Sequence, residues 1–361
     1  MKKINATLKK ISGLDCRLME KTQKRLDNLT KPQGSLGRLE ELAKLIVGIT
    51  GKENPEFKNK VIFTLASDHG VTYEGVSPFP KEVTAQMVYN FINGGAGINV
   101  LASHVGARVI VADMGVAGKL EIKKSSLKAE KIRSFKDKKI NYGTRNMAKG
   151  PSMSREEAIR SIESGIELLE DELKKGVDII GTGEMGIGNT TASSAITSIF
   201  TKQPVELVVG RGAGLDDKGL ENKITVIKKV LAVNKPDVKD AMDVLAKIGG
   251  FEIGGLTGVI LACGANKIPV VIDGFISGAA ALVAYHLEPK IKDYMIASHV
   301  SVEKGHRVIL EHIGLKPLFD LNLRLGEGTG AALGINIAEA AVKILTQMAT
   351  FKQANVSERS G

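Results

Sequence analysis

One recurring unit constrains this chain more than any other feature. A short apolar run ends in polar or Gly-rich residues, and a helical stretch follows. Residues 60–66, 107–113, 177–181, 269–272 and 294–297 read as strands. Behind four of them come Ser67-Asp68-His69-Gly70, the segment 181–189, Asp273-Gly274 and Ser298-His299. Helical spacing fills 19–29, 36–49, 81–104 (interrupted at 94–97), 154–175, 190–200, 217–249, 303–313 and 333–350. Ser35 is the expected cap of the second of these, and Ser154 of the fourth. Segment 259–262 is open between helix and strand. Strands alternating with helices predict a parallel sheet in an α/β fold. Such sheets bind ligands beyond the carboxyl ends of their strands, where the polar segments recur.

At 361 residues the chain exceeds the size at which one core stops growing, so a large domain with a smaller subdomain is expected. With no Trp and 4% aromatics it lacks the stacking platforms of a single-strand nucleic-acid binder. The N-terminal residues carry Lys but no apolar core of a signal peptide. The longest apolar stretch, 268–285, contains Asp273 and small-residue breaks, and reads as strand plus helix rather than a membrane span. Two distant cysteines, Cys16 and Cys263, imply neither a disulfide framework nor a Cys-based zinc site, which makes the cytoplasm the default location. The net charge of +10 is uneven: residues 119–149 hold eleven Lys/Arg against three Asp/Glu. A polyanion patch and a solvated basic insert both fit. Phe135 and Tyr142 are the only aromatics there, which favours the solvated insert.

The densest motif is Gly181-Thr-Gly-Glu-Met-Gly-Ile-Gly-Asn-Thr-Thr191, between a strand and a helix. Its backbone N–H groups, the helix N-terminus and the hydroxyls of Thr190 and Thr191 suit a phosphate; the alternative is a tight turn serving helix–sheet packing. Gly181, Gly183 and Gly186 imitate a dinucleotide fingerprint, but Glu184 would put a carboxylate inside the pyrophosphate cradle. Asn189 stands where a P-loop needs Lys, which argues against triphosphate hydrolysis. In Leu325-Gly-Glu-Gly-Thr-Gly330, flanking glycines expose Glu327 as a candidate general base, or form an ordinary turn before the last helix. Arg211 and Lys223 are candidate anion neutralisers beside a loop and helix cap. Phe79 and Gln86 suit a flat ring, although Phe79 equally suits a core. His69 is a metal candidate beside Asp68 or, more simply, a structural histidine. Neither HExxH nor GxSxG occurs.

Together, Leu29-Thr-Lys-Pro-Gln-Gly-Ser-Leu-Gly-Arg-Leu-Glu40, Ala66-Ser-Asp-His-Gly-Val71, Gly75-Val-Ser-Pro-Phe-Pro80, Val83-Thr-Ala-Gln86, Gly143-Thr-Arg-Asn146, Gly183–Thr191, Gly210-Arg-Gly212 and Leu325–Gly330 resemble the nicotinate-nucleotide–dimethylbenzimidazole phosphoribosyltransferase family. The resemblance spans about residues 5 to 350. It implies transfer of phosphoribose from nicotinate mononucleotide to 5,6-dimethylbenzimidazole with inversion, giving α-ribazole 5′-phosphate and nicotinate in cobalamin biosynthesis. It implies no metal, no redox cofactor and a homodimer. The implied fold is a Rossmann-like parallel sheet flanked by helices. The implied division is a small helical domain of residues 1–50 plus 333–361 and a large α/β domain of 51–332 carrying the site.

By motif, the resemblance makes Glu327 the base that takes the benzimidazole N–H proton and Glu184 the second active-site carboxylate. Lys223 falls near the substrate. Gly186, Ile187, Gly188, Asn189, Thr190 and Thr191 would hold the 5′-phosphate, with Ser298 and Gly212 as further candidates. Ser77, Phe79 and Gln86 would line the base pocket. Two rivals stay open: the same chemistry on adenine, other benzimidazoles or phenols, and a non-catalytic binder of nucleotides or polyanions. The basic stretch 119–139 belongs to none of the matched motifs.

Overall fold

The computed structural model describes residues 1–122 and 134–357. Helices α1 (Lys2–Leu8), α2 (Cys16–Asp27) and α3 (Arg38–Thr50) open the chain. Strand β1 (Lys60–Ser67) follows, then α4 (Glu82–Asn93), α5 (Gly97–His104), β2 (Ala107–Gly115) and β3 (Phe135–Asp137). The second half runs α6 (Arg155–Leu173), β4 (Ile179–Met185), α7 (Asn189–Thr201), α8 (Asp217–Asn234), α9 (Ala241–Ile248) and α10 (Phe251–Ala265). It closes with β5 (Val270–Ile272), α11 (Phe275–Leu287), β6 (Met295–Ala297), α12 (Lys304–Ile313) and α13 (Thr329–Gln347).

The six strands form one parallel sheet in the order β3-β2-β1-β4-β5-β6. This is the doubly wound α/β architecture expected from the alternation of elements. Chain order reverses between β1 and β4, and the crevice at such a reversal is where ligands lie. The side-chain period of two splits the core into two layers. Val61, Phe63 and Leu65 of β1 face the layer that holds Ile162, Phe251 and Ile260. Ile62 and Ala66 face the layer that holds Leu42, Ile46, Ile98 and Ala331. The chain ends meet on this second side: Thr30 N–H donates to Ala349 O at 3.0 Å and Phe351 N–H to Asn28 O at 3.1 Å. Among the described residues no helix is long and apolar enough to cross a membrane.

One segment left open is resolved and several local expectations change. Segment 259–262 lies inside α10, which is buried on nearly every side, so it has no polar face to show a helical period. The span 217–249 is two helices, because Pro236 and a left-handed Lys235 stop the first. The third strand starts at Ile179 and runs on to Met185, since its Gly-rich half pairs with β1 through Gly181↔Ile62 and Glu184↔Leu65. Glu184 is therefore a strand residue, held rigidly. Strand β3 has no counterpart in the sequence reading: only three residues pair with β2. Ser35 does not cap α3. Its N-cap is Gly37, and Glu40 instead takes the Leu36 N–H at 3.0 Å and pairs with buried Lys31 at 2.8 Å. Much of the basic stretch 119–139 lies outside the described residues.

Helices α6 and α10 touch backbone to backbone. A Cβ on Gly165 would stand 1.9 Å from Gly255 O, and one on Gly258 2.0 Å from Ile162 O. Gly165→Val is expected to cost at least ~3 kcal/mol, the upper end for overpacking, read as a lower urea midpoint at unchanged m. Gly13→Ala, with open space around it, should shift that midpoint by less than ~0.5 kcal/mol equivalent.

Candidate active site

The cleft at the β1/β4 reversal has a volume of about 350 Å³. Its apolar wall is Phe79, Val83 and Met87, the last two one turn apart on α4. The turn after β4, Gly212 and Ala213 also line it. Glu184, Glu327, His299, Ser301 and Glu303 lie in the same cleft.

Glu327 sits in an unusual backbone. Gly326, Glu327 and Gly328 have φ of 80°, 63° and 100°, three left-handed residues in a row. That conformation is unfavourable for a non-glycine residue, so its surroundings must enforce it. They do so from three directions. The Thr64 hydroxyl, in the middle of β1, donates to Glu327 O at 2.9 Å. The Asp273 carboxylate, just past β5, accepts Gly328 N–H at 3.1 Å and Ala331 N–H at 3.0 Å. It supplies the N-terminal cap of α13 that Gly328 cannot supply. The Glu327 carboxylate itself accepts Ile98 N–H at 3.2 Å in the first turn of α5. Burial raises its pKa above the ordinary carboxylate range, and that single N–H pulls the other way.

Glu184 is more strongly perturbed. Burial first, then the nearby Asp273 and Glu252 carboxylates, push its pKa up to about 8. The Asn189 side-chain amide, donating to Glu184, offsets only part of this. At neutral pH the free protein therefore keeps Glu184 protonated. Glu252 has another partner: it pairs with His69 Nε2 at 2.7 Å in a buried contact under the β4–α7 turn. His69 is thus a structural histidine.

Three N–H groups of the turn after β4 are used within the fold. Ile187 N–H goes to Thr84 Oγ1, Asn189 N–H to Gly186 O, and Thr191 N–H to Gly188 O. Thr190 lines the cleft. Fully buried Lys223 donates to Thr190 Oγ1 at 2.7 Å from behind. Burial lowers the Lys223 pKa to about 8, opposed by the Glu303 carboxylate. Glu303 accepts Gly212 N–H at 2.9 Å. Burial also lowers the His299 pKa to about 4, so its ring is neutral at pH 7.

Of the residues singled out from sequence, Phe79, Glu184, Gly186, Ile187, Asn189, Thr190, Gly212 and Glu327 line this one cleft. Lys223 reaches it only through Thr190. Gly188 forms the N-cap of α7, and Thr191 is buried inside that helix. Ser77 stands behind the wall, its hydroxyl accepting Phe79 N–H at 3.2 Å. Gln86 is exposed on α4 and does not line the cleft. Ser298 is fully buried and turned toward Asp273 O at 3.2 Å; the serine facing the cleft is Ser301. Arg211 is bound by Asp217 and by Leu215 O, and so is not a free cation. Sequence reasoning missed Asp273, His299, Ser301, Glu303 and Arg324 as site residues. Their signal was positional, since all but Arg324 lie just past the ends of β5 and β6.

The raised pKa of Glu184 gives a stability test. Between about pH 4.5 and about 8 the folded chain keeps a proton there that the unfolded chain has released. Stability from this group therefore falls as pH rises through that window and is flat above it. Thermal melts of wild type and Glu184→Gln at pH 5.5 and 8.5 should show the variant gaining on wild type at the higher pH. A constant difference would mean that Glu184 has an ordinary pKa.

Comparison with known proteins agrees with this arrangement. The profile of a phosphoribosyltransferase family matches residues 11–356. The nicotinate-nucleotide–dimethylbenzimidazole phosphoribosyltransferase of Geobacter sulfurreducens is 55% identical, with 98% of each chain covered. The enzyme of that name from Desulforudis audaxviator is also 55% identical, again over 98% of each chain. The crystal structure of the enzyme of that name from Thermus thermophilus superposes with a TM-score of 0.88 at 40% identity, covering 96% of this chain and 100% of that one.

Proposed function

This chain belongs to the nicotinate-nucleotide–dimethylbenzimidazole phosphoribosyltransferase family, and on that premise we propose that it moves phosphoribose from nicotinate mononucleotide to 5,6-dimethylbenzimidazole in cobalamin biosynthesis. The observation that carries the reading is a pair of buried carboxylates of raised pKa, Glu184 and Glu327, in one cleft between a phosphate-type helix start and an apolar wall.

The donor's C1′–pyridinium bond breaks and its electron pair returns to the nicotinate nitrogen. One benzimidazole nitrogen bonds to C1′ from the opposite face, and the other loses its proton to Glu327. A carboxylate can take that proton only if it is ionised beforehand and hydrogen-bonded to the ring N–H. The Ile98 N–H bond and the cap by Asp273 hold Glu327 for this role. Glu184 stands beside the cationic donor. Binding a pyridinium ribosyl group favours its ionised form, which then stabilises positive charge at C1′. The Thr190 hydroxyl, oriented by Lys223, takes the 5′-phosphate at the start of α7. Phe79, Val83 and Met87 take the flat acceptor. Alignment of acceptor and anomeric carbon removes much of the entropic cost of a two-substrate step.

The further family properties are proposals of the same kind: a homodimer, a cytoplasmic location, and a small helical domain from residues 1–50 and 333–361.

The direct test incubates the protein with both substrates and separates the products. α-Ribazole 5′-phosphate and nicotinate should appear in equal amounts. Glu327→Gln should lose about 10²- to 10⁴-fold in turnover while melting like the wild type. A folded variant of near-normal rate would remove Glu327 from the role of base. With Glu327 needed as carboxylate and its pKa raised, the wild-type rate should fall on the acid side above the usual carboxylate range.

A further inference from the structure

We infer that Arg324 reads the carboxylate of the departing nicotinate and so selects the acid donor over its amide. The inference rests on the functional reading above and adds a specificity residue to it.

The charges lining the cleft are unbalanced. Besides Glu184, protonated in the free protein, two carboxylates, Glu303 and Glu327, face one guanidinium, that of Arg324. No other Lys or Arg among the described residues lines it. Lys223 lies behind the wall, bound to Thr190. Arg211 is engaged by Asp217 and Leu215 O. Arg324 differs from both: it is exposed, and no ion pair or hydrogen bond holds it among the described residues.

The donor brings two anionic groups, a 5′-phosphate and a pyridine carboxylate. They leave the ribose at opposite ends, so one cation cannot serve both without bending the substrate back on itself. The phosphate end has its own fittings at Thr190, with Lys223 behind. Arg324 lines the same cleft three residues before Glu327, so their Cα atoms are at most ~11 Å apart along the chain. From there its exposed side chain can reach the part of the cleft at Glu327, where the ring bonds break and form. A planar fork of N–H donors matches a carboxylate in two parallel hydrogen bonds, which a carboxamide cannot reproduce. The neighbouring carboxylates make the preference sharper. An unpaired nicotinate anion beside Glu327 would be repelled, and Arg324 supplies the compensating charge.

The experiment compares nicotinate mononucleotide with nicotinamide mononucleotide, which share ribose and phosphate and differ only at this group. Both are titrated calorimetrically into wild type, Arg324→Met and Arg324→Lys, and KM and kcat are measured with dimethylbenzimidazole saturating. In Arg324→Met the Kd and KM for the acid should rise about 10- to 100-fold, the scale of one charge-assisted pair. Its kcat should stay within about threefold, and its Kd for the amide within about twofold. Arg324→Lys should fall between, keeping the charge but losing the fork. An equal loss for both donors would move Arg324 to the phosphate, and no loss for either would remove it from the site. Both results overturn the inference while leaving the transferase reading standing. A folded wild type that binds neither nucleotide and forms no product would overturn both.

Discussion

The site depends on one constraint, the enforced left-handed backbone at Gly326-Glu327-Gly328. The loop is held by the central strand through Thr64, by the end of β5 through Asp273, and by the first turn of α5 through Ile98. These three belong to different elements, and only the assembled sheet brings them to one place. Glycine on either side of Glu327 lets the turn form, and the third positive φ falls on the glutamate itself. The close approach is tight: a Cβ on Gly183 would stand 2.3 Å from Glu327 O. The Gly-rich half of β4 is therefore needed to let the Glu327 loop lie against the sheet. This role is separate from any contact with phosphate.

Burial then sets the chemistry. Glu184, Asp273 and Glu327 are all nearly inaccessible, and each has its pKa raised chiefly by loss of solvent. Their hydrogen-bond partners differ. Asp273 is committed to backbone N–H groups of α13, Glu184 to an amide side chain, and Glu327 to a single N–H. Glu184 and Glu327, with one hydrogen bond each, are the two that line the cleft. The same desolvation keeps His299 neutral, and Lys223 does not itself line the cleft, so among the described residues the positive charge lining it is that of Arg324.

Much of this was legible in the sequence because it is local. Strand runs such as Val61-Ile62-Phe63 are apolar on both faces, which only a sheet covered on both sides explains. Gly-rich segments after strands marked the end of the sheet where the cleft lies, and Glu184 and Glu327 stood out as carboxylates among glycines. The sequence left a segment open where burial erases periodicity, as in α10, and missed a strand too short to have any, β3. Ser298 and Ser301 illustrate the limit for side chains. They are three residues apart after the same strand, and the direction each faces depends on what packs against β6.

From the sequence alone came the α/β class, the parallel sheet, the family resemblance and the two carboxylates, because periodicity and motif spacing are properties of neighbours along the chain. The tertiary structure decided that Glu184 is a strand residue, that Lys223 is bound to Thr190, that Asp273 caps the helix after Glu327, and that Arg324, among the described residues, is the cation lining the cleft. Each of these joins residues tens to more than a hundred positions apart. Hydrogen bonds and desolvation act through space, so their outcome follows from which distant segments the sheet order makes neighbours.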